Sequence, residues 1–136
     1  ALGKEKWLSG EVVMKPRKDT WDSRKIGLAA PPIETKEGWL MLYHGVSESS
    51  SKYRVGAALL DLKGPMRVVG RSLYPVLEPE MPYEREGQMP KVVFPCGAVV
   101  LKNQLLVYYG GADRVVGIAS VKLSDIVKEL LRKRRS

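Results

Sequence analysis

The sequence predicts an all-β chain, a partial β-propeller of about two to three blades followed by one C-terminal helix. Three observations predict it. Most of the chain reads as short runs rich in Val, Leu and Tyr, each bounded by Gly, Pro, Ser or Asn. Two of these runs recur in the same order along the chain. Helical spacing of apolar residues shows only near the C-terminal end.

Trp39–His44 follows Gly38 and is the first clear strand. Tyr53–Leu60 is the second, and Lys63-Gly64-Pro65 turns the chain into a short third strand, Arg67–Arg71. From Leu73 to Pro90 the chain carries four prolines and one glycine, which excludes a central strand and leaves a long ordered loop or connector. Ala98–Leu101 and Gln104–Tyr109 flank Lys102-Asn103, a two-residue hairpin turn. Arg114–Val121 is the last strand. Several strands are apolar on both faces, as strands covered on both sides are.

Ser124 is the expected N-cap of the helix, with Asp125 in its first turn. Leu123, Ile126, Val127, Leu130 and Leu131 then fall on one face that covers the core.

In the repeat, Leu40–Gly45 lies over Leu105–Gly110 at an offset of 65, and Tyr53–Ala58 lies over Arg114–Ala119 at an offset of 61. Repetition of short strands at this period points to stacked sheets, with a sandwich as the alternative. We therefore read residues 1–136 as a single partial propeller domain, with repeat units at about 26–72 and 91–123 and a helix at about 124–134. A blade takes roughly 40–50 residues and closed propellers hold roughly 4–8 blades. An open arc exposes apolar blade faces, so the expected completion is another chain, the rest of a longer chain of which this is a piece, or a homo-oligomer. The first residue is Ala1, not Met, in keeping with a trimmed chain or a piece of a longer one.

Composition narrows the function. One cysteine, Cys96, excludes an internal disulfide and a cysteine-built metal site, and one histidine, His44, excludes a multi-histidine site. No run approaches the ~18 apolar residues of a membrane span, and no signal peptide is apparent. A cytoplasmic setting without membrane contact is expected. Amides are scarce beside Lys, Arg and Glu, a compositional hint of a thermophile. The net charge of +8 is half carried by residues 122–136. That tail reads as a solvated helix end, where cations suit the helix dipole, or as a grip on nucleic acid; no aromatic interleaves it as stacking on single strands requires.

Six segments in order carry a resemblance. They are WDSRKIGLAAPPI (21–33), TKEGWLMLYHGV (35–46), YRVGAALLDL (53–62), LEPEMPYE (77–84), VVFPCG (92–97) and VYYGGAD (107–113). Together they resemble the C-terminal half of glycoside hydrolase family 130, the β-mannoside phosphorylases and related glycosidases. The resemblance covers roughly residues 12–131.

It implies a five-bladed propeller and inverting cleavage of a β-mannoside by inorganic phosphate, giving α-mannose 1-phosphate. Phosphate is the co-substrate and no other cofactor is implied. A β-mannoside or related oligosaccharide is the implied partner. By the same resemblance Lys25, His44 and Tyr53 match phosphate-binding positions, and Asp113 matches a carboxylate that holds sugar hydroxyls. Tyr109, which overlies His44 in the repeat, either offers a ring or hydroxyl to sugar or is a core tyrosine. Such a site must neutralise a dianion and hold it in line with the anomeric carbon.

Two departures stand out. Lys91 occupies the place of the asparagine usual before VVFP, and the catalytic aspartate and phosphate-binding arginines belong to the family's N-terminal half. Asp19 and Asp22 are not at the acid's position, so no catalytic residue is assigned in this chain. Three readings follow: part of a mannoside phosphorylase or hydrolase, a non-catalytic carbohydrate-binding or structural half-propeller, and a basic nucleic-acid-binding domain supported by charge alone.

Overall fold

A computed structural model describes residues 10–50, 52–77, 93–111 and 115–132, with backbone alone for Val93 and Phe94. Asp113, Lys91, most of the LEPEMPYE segment and the last four residues of the basic tail lie outside the described residues.

Among the described residues, eight strands form two antiparallel sheets: β1 (Lys25–Leu28), β2 (Ile33–Glu34), β3 (Trp39–Val46), β4 (Arg54–Leu60) and β5 (Val68–Arg71), then β6 (Val93–Leu101), β7 (Gln104–Gly111) and β8 (Val115–Lys122). The helix α1 (Leu123–Leu131) follows. The first sheet runs β1-β3-β4-β5, with β2 also paired to β3, and the second runs β6-β7-β8. The described chain is thus mostly β with a C-terminal helix, as expected, and neither sheet closes on itself. No described helix is long and apolar enough to cross a membrane.

Alternation fixes the faces. Leu40, Leu42, Val55, Ala57 and Leu59 line the inner face of the first sheet, and Leu105, Val107 and Tyr109 that of the second. Ile126, Val127 and Leu130 of α1 complete this one buried cluster. The helix seats where β5 has no side chain: a Cβ at Gly70 would overlap the backbone of Leu130.

The outer face of the first sheet is also covered, by the segment before β1. Trp21 stacks on Tyr43 with ring centroids 5.6 Å apart, and it lies over Gly45 and Gly56. The outer face of the second sheet is open among the described residues, with Val99, Leu101, Tyr108, Val116 and Ile118 exposed.

Four expectations need correction. The repeat holds for the first strand of each hairpin, since Leu40, Leu42 and His44 face the same way as Leu105, Val107 and Tyr109. It fails for the second. Gly56 pairs with Tyr43 on the outer face, whereas Gly117 pairs with Tyr109 on the inner face. Each glycine makes room for a tyrosine ring, and a one-residue change of register moves that ring to the other face.

Second, β6 begins at Val93, not Ala98: as the edge strand among the described residues it admits Pro95, with a register shift between Pro95 and Gly97. Third, Ser124 is not the N-cap. Lys122 holds that position without a side-chain cap, the Leu123 N–H donates to the Asn103 carbonyl at 2.9 Å, and Asn103 Nδ2 donates to Ser124 Oγ at 3.2 Å. Fourth, Leu131 is exposed rather than part of the buried face.

The hairpin turn is as expected. Lys102 and Asn103 both have positive φ, 47° and 63°, the pattern whose twist matches paired strands.

Candidate functional site

The antiparallel register of β1 and β3 places Lys25 opposite Val46 and Gly27 opposite His44. Residues two apart share a face, so Lys25 and His44 project to the same side. His44 is also opposite Val55 of β4, which puts the imidazole at the end of the inner row of Leu40 and Leu42. Tyr53, just before β4, closes the group: the Lys25 Nζ lies 5.1 Å from its ring centroid, and the His44 ring 5.8 Å from it at 50°.

The structure therefore brings together three of the five residues singled out in the sequence. Lys25 is exposed, and Tyr53 and His44 are half-buried. Burial, and then the neighbouring Lys25 charge, hold the His44 imidazole below its ordinary pKa of 6.5. At neutral pH the cluster consists of one fixed cation, one neutral imidazole and one phenol. This set can hold an anion through one charge and two neutral donors.

Tyr109 sits elsewhere in the inner row, 5% exposed, with its ring packed on Gly117 in the core. Packing accounts for the ring. Asp113 lies outside the described residues.

Sequence reasoning missed a second polar cluster on the outer face. Asp22 is fully buried and accepts from Arg17 Nη2 at 2.9 Å, Arg71 Nη2 at 2.8 Å, Tyr43 Oη at 2.8 Å and Thr20 Oγ1 at 2.5 Å. Arg17 also donates to the Ser72 carbonyl, and Arg71 to the Lys15 carbonyl, tying the entry segment to β5 and its end. Burial alone would raise the Asp22 pKa, but hydrogen bonds from Arg17, Thr20 and Tyr43, with the Arg17 charge, hold it below the ordinary value. Tyr43, buried beside this carboxylate, is pushed up to about 12. An ionised, fully enclosed Asp22 cannot supply a proton to a substrate at neutral pH. No local pattern announces the cluster, because Arg71 lies 49 residues from Asp22 in the chain.

A cleft of about 1200 Å³ opens beside Trp21, Ser47, Ser50, Arg54 and Tyr74, and its lining does not include Lys25, His44 or Tyr53. We base the site on the cluster, where charge and donors converge. Among the described residues no group of three or more His, Cys, Asp or Glu is placed to hold a metal.

An all-β frame presenting a lysine, an imidazole and a phenol at one set of strand ends suits a protein that handles an anionic or hydroxylated ligand. Comparison with known proteins makes the class specific. The family described as beta-1,4-mannooligosaccharide phosphorylase, glycoside hydrolase family 130, matches residues 5–132, and the chain belongs to it.

The chain is 48% identical over 113 residues to a beta-1,2-mannobiose phosphorylase of Thermoanaerobacter sp. strain X514, covering 83% of this chain and 37% of that protein. It is 45% identical over 120 residues to a 1,2-beta-oligomannan phosphorylase of the same organism, covering 88% and 40%. The solved structure of the Listeria innocua beta-1,2-mannobiose phosphorylase with beta-1,2-mannobiose superposes with a TM-score of 0.81 at 43% identity, covering 86% of this chain and 33% of that one. A further structure, from work on glycoside hydrolases of the family that target beta-1,2 mannosidic linkages in Candida mannan, superposes with a TM-score of 0.74 at 32% identity, covering 84% of this chain and 34% of that one. The chain thus spans 40% or less of the length of each of these relatives.

Proposed function

We propose that this chain is the phosphate- and sugar-contacting part of an inverting β-mannoside phosphorylase, two to three blades of a five-bladed propeller. The observation that carries the reading is the convergence of Lys25, His44 and Tyr53 on one face at one set of strand ends. In this role Lys25 opposes the phosphate charge, while His44 and Tyr53 donate hydrogen bonds that orient it. A phosphate oxygen then bonds to the anomeric carbon as the glycosidic C–O bond breaks. A proton from a carboxylic acid in the part of the relatives that this chain does not span goes to the leaving oxygen. Asp113 serves the sugar.

The linkage we propose is β-1,2, since the relatives at 45% and 48% identity act on β-1,2 mannosides and the β-1,4 relative is 39% identical. The partner we propose is the remaining propeller, supplied by an N-terminal companion or by further copies. The exposed outer face of β6-β7-β8, with Val116 82% exposed, calls for such cover.

Titration of inorganic phosphate into the chain by calorimetry tests the reading, with β-1,2- and β-1,4-mannobiose followed by ligand-observed NMR. Saturable phosphate binding that weakens in Lys25→Met and His44→Ala is expected. No phosphate binding, with mannobiose still bound, would favour a hydrolase or a non-catalytic binding module.

A further inference from the structure

We propose that Gly27 is a positioning residue for His44: the side chain it lacks is the space in which the imidazole stands beside Lys25 and Tyr53. The inference deepens the anion-site reading of that cluster and rests on it for its functional meaning.

Gly27 and His44 are directly opposite in the β1–β3 pair and so share a face. A Cβ built on Gly27 would overlap the imidazole Nε2 and lie 2.5 Å from Cε1. A Cβ does not approach a non-bonded atom this closely, so any side chain at position 27 must displace the ring. The backbone gives no other reason for glycine here: among the described glycines only Gly38 has a positive φ. Close approach is therefore what position 27 requires, and the group that approaches is the imidazole.

The ring has little freedom to yield. Tyr53 flanks it at 5.8 Å, and Val55, 1% exposed, lies across from it on β4. Lys25, one register step along the same face of β1, supplies the charge next to the ring. A methyl group at position 27 forces the imidazole out of this niche, away from Lys25 and Tyr53 and toward solvent. Gly27 touches no ligand in this account. It sets where the His44 donor stands.

The test uses the 136-residue chain and its single histidine, whose imidazole gives one set of ring signals in proton–carbon NMR. Wild type, Gly27→Ala, His44→Ala and the double variant are compared for phosphate affinity and thermal midpoint, and the two histidine-containing chains also for ring signals and titration midpoint. Gly27→Ala is expected to move the ring signals, raise the imidazole midpoint toward its ordinary value and weaken phosphate binding about tenfold. In the His44→Ala background the same change should alter phosphate affinity by less than about twofold, because the displaced group is gone. If Gly27→Ala folds poorly, the double variant should recover the thermal midpoint.

Unmoved ring signals and midpoint in Gly27→Ala would overturn the proposal, as would an equal loss of affinity or of thermal midpoint in both backgrounds. If the wild-type chain binds no phosphate, the anion-site reading fails, and the ring signals still decide whether Gly27 places His44.

Discussion

Asp22 and Arg71 meet at 2.8 Å on the outer face of the first sheet, with the carboxylate fully buried and the arginine 14% exposed. Arg17 reaches the same carboxylate from the entry segment, and the Tyr43 hydroxyl joins it from β3. This pairing holds residues 15–24 against β3, β4 and β5, and so fixes the direction from which the chain enters β1 at Lys25. The cluster of Lys25, His44 and Tyr53 on the inner face thus depends on a polar knot on the outer one.

Replacing Asp22 by Asn leaves two partly buried arginines without their counter-charge. A loss of about 3 kcal/mol is expected, in the range for breaking one side of a buried pair. Urea unfolding followed by tryptophan fluorescence measures it. A loss under about 0.5 kcal/mol, the range of ordinary surface changes, would contradict the role given to the knot.

The same carboxylate sets an acid limit. Its folded pKa lies below the unfolded value, so its contribution is fully present above the unfolded pKa and is lost as pH falls through the folded one. Unfolding free energy of wild type should therefore drop below about pH 4, and the Asp22→Asn chain should show a shallower drop there.

His44 is held neutral where Asp22 is held charged, and the effect on stability runs in the same direction. Burial and Lys25 depress its pKa, so the folded chain resists the proton that the unfolded chain takes up. Stability is penalised as pH falls through the unfolded value near 6.5, and the penalty is complete below the folded one. Removing the charge with Lys25→Met should raise the imidazole midpoint seen by NMR and shrink that penalty. An unchanged midpoint would show that the ammonium does not act on the ring.

At the β6–β7 turn, Asn103 holds φ at 63° while its carbonyl accepts the first N–H of α1. Asn103→Val places a β-branched residue in left-handed backbone, and a loss of about 1–2 kcal/mol is expected. Asn103→Gly, which keeps both the turn and the carbonyl, should change the thermal midpoint little. Equal losses in both variants would assign the effect to the side chain instead.

The strands that were legible are those whose Val, Leu and Tyr runs end at strong turn signals, β3, β4, β5, β7 and β8. β1 and β2 were not, because KIGL and IE are too short for a pattern and are separated by Pro31 and Pro32. Pro95 hid the start of β6, which only an unpaired edge could accommodate. Gly56 and Gly117 hold equal places in the repeat yet lie on different faces, because sequence spacing does not carry register. The cluster of Lys25, His44 and Tyr53 was legible through its family resemblance, while its geometry follows from strand pairing between distant segments. The Asp22 knot was invisible because its partners are non-local and each alone reads as a surface charge.

Calorimetric titration of inorganic phosphate at fixed ionic strength, into wild type and Lys25→Met, tests the central claim most directly. One site per chain is predicted in wild type, with affinity falling about tenfold when the ammonium is removed, as the loss of one charge-assisted contact implies. Absence of saturable heat in wild type, or identical phosphate affinity in the two chains, would contradict the assignment of this cluster as the phosphate site.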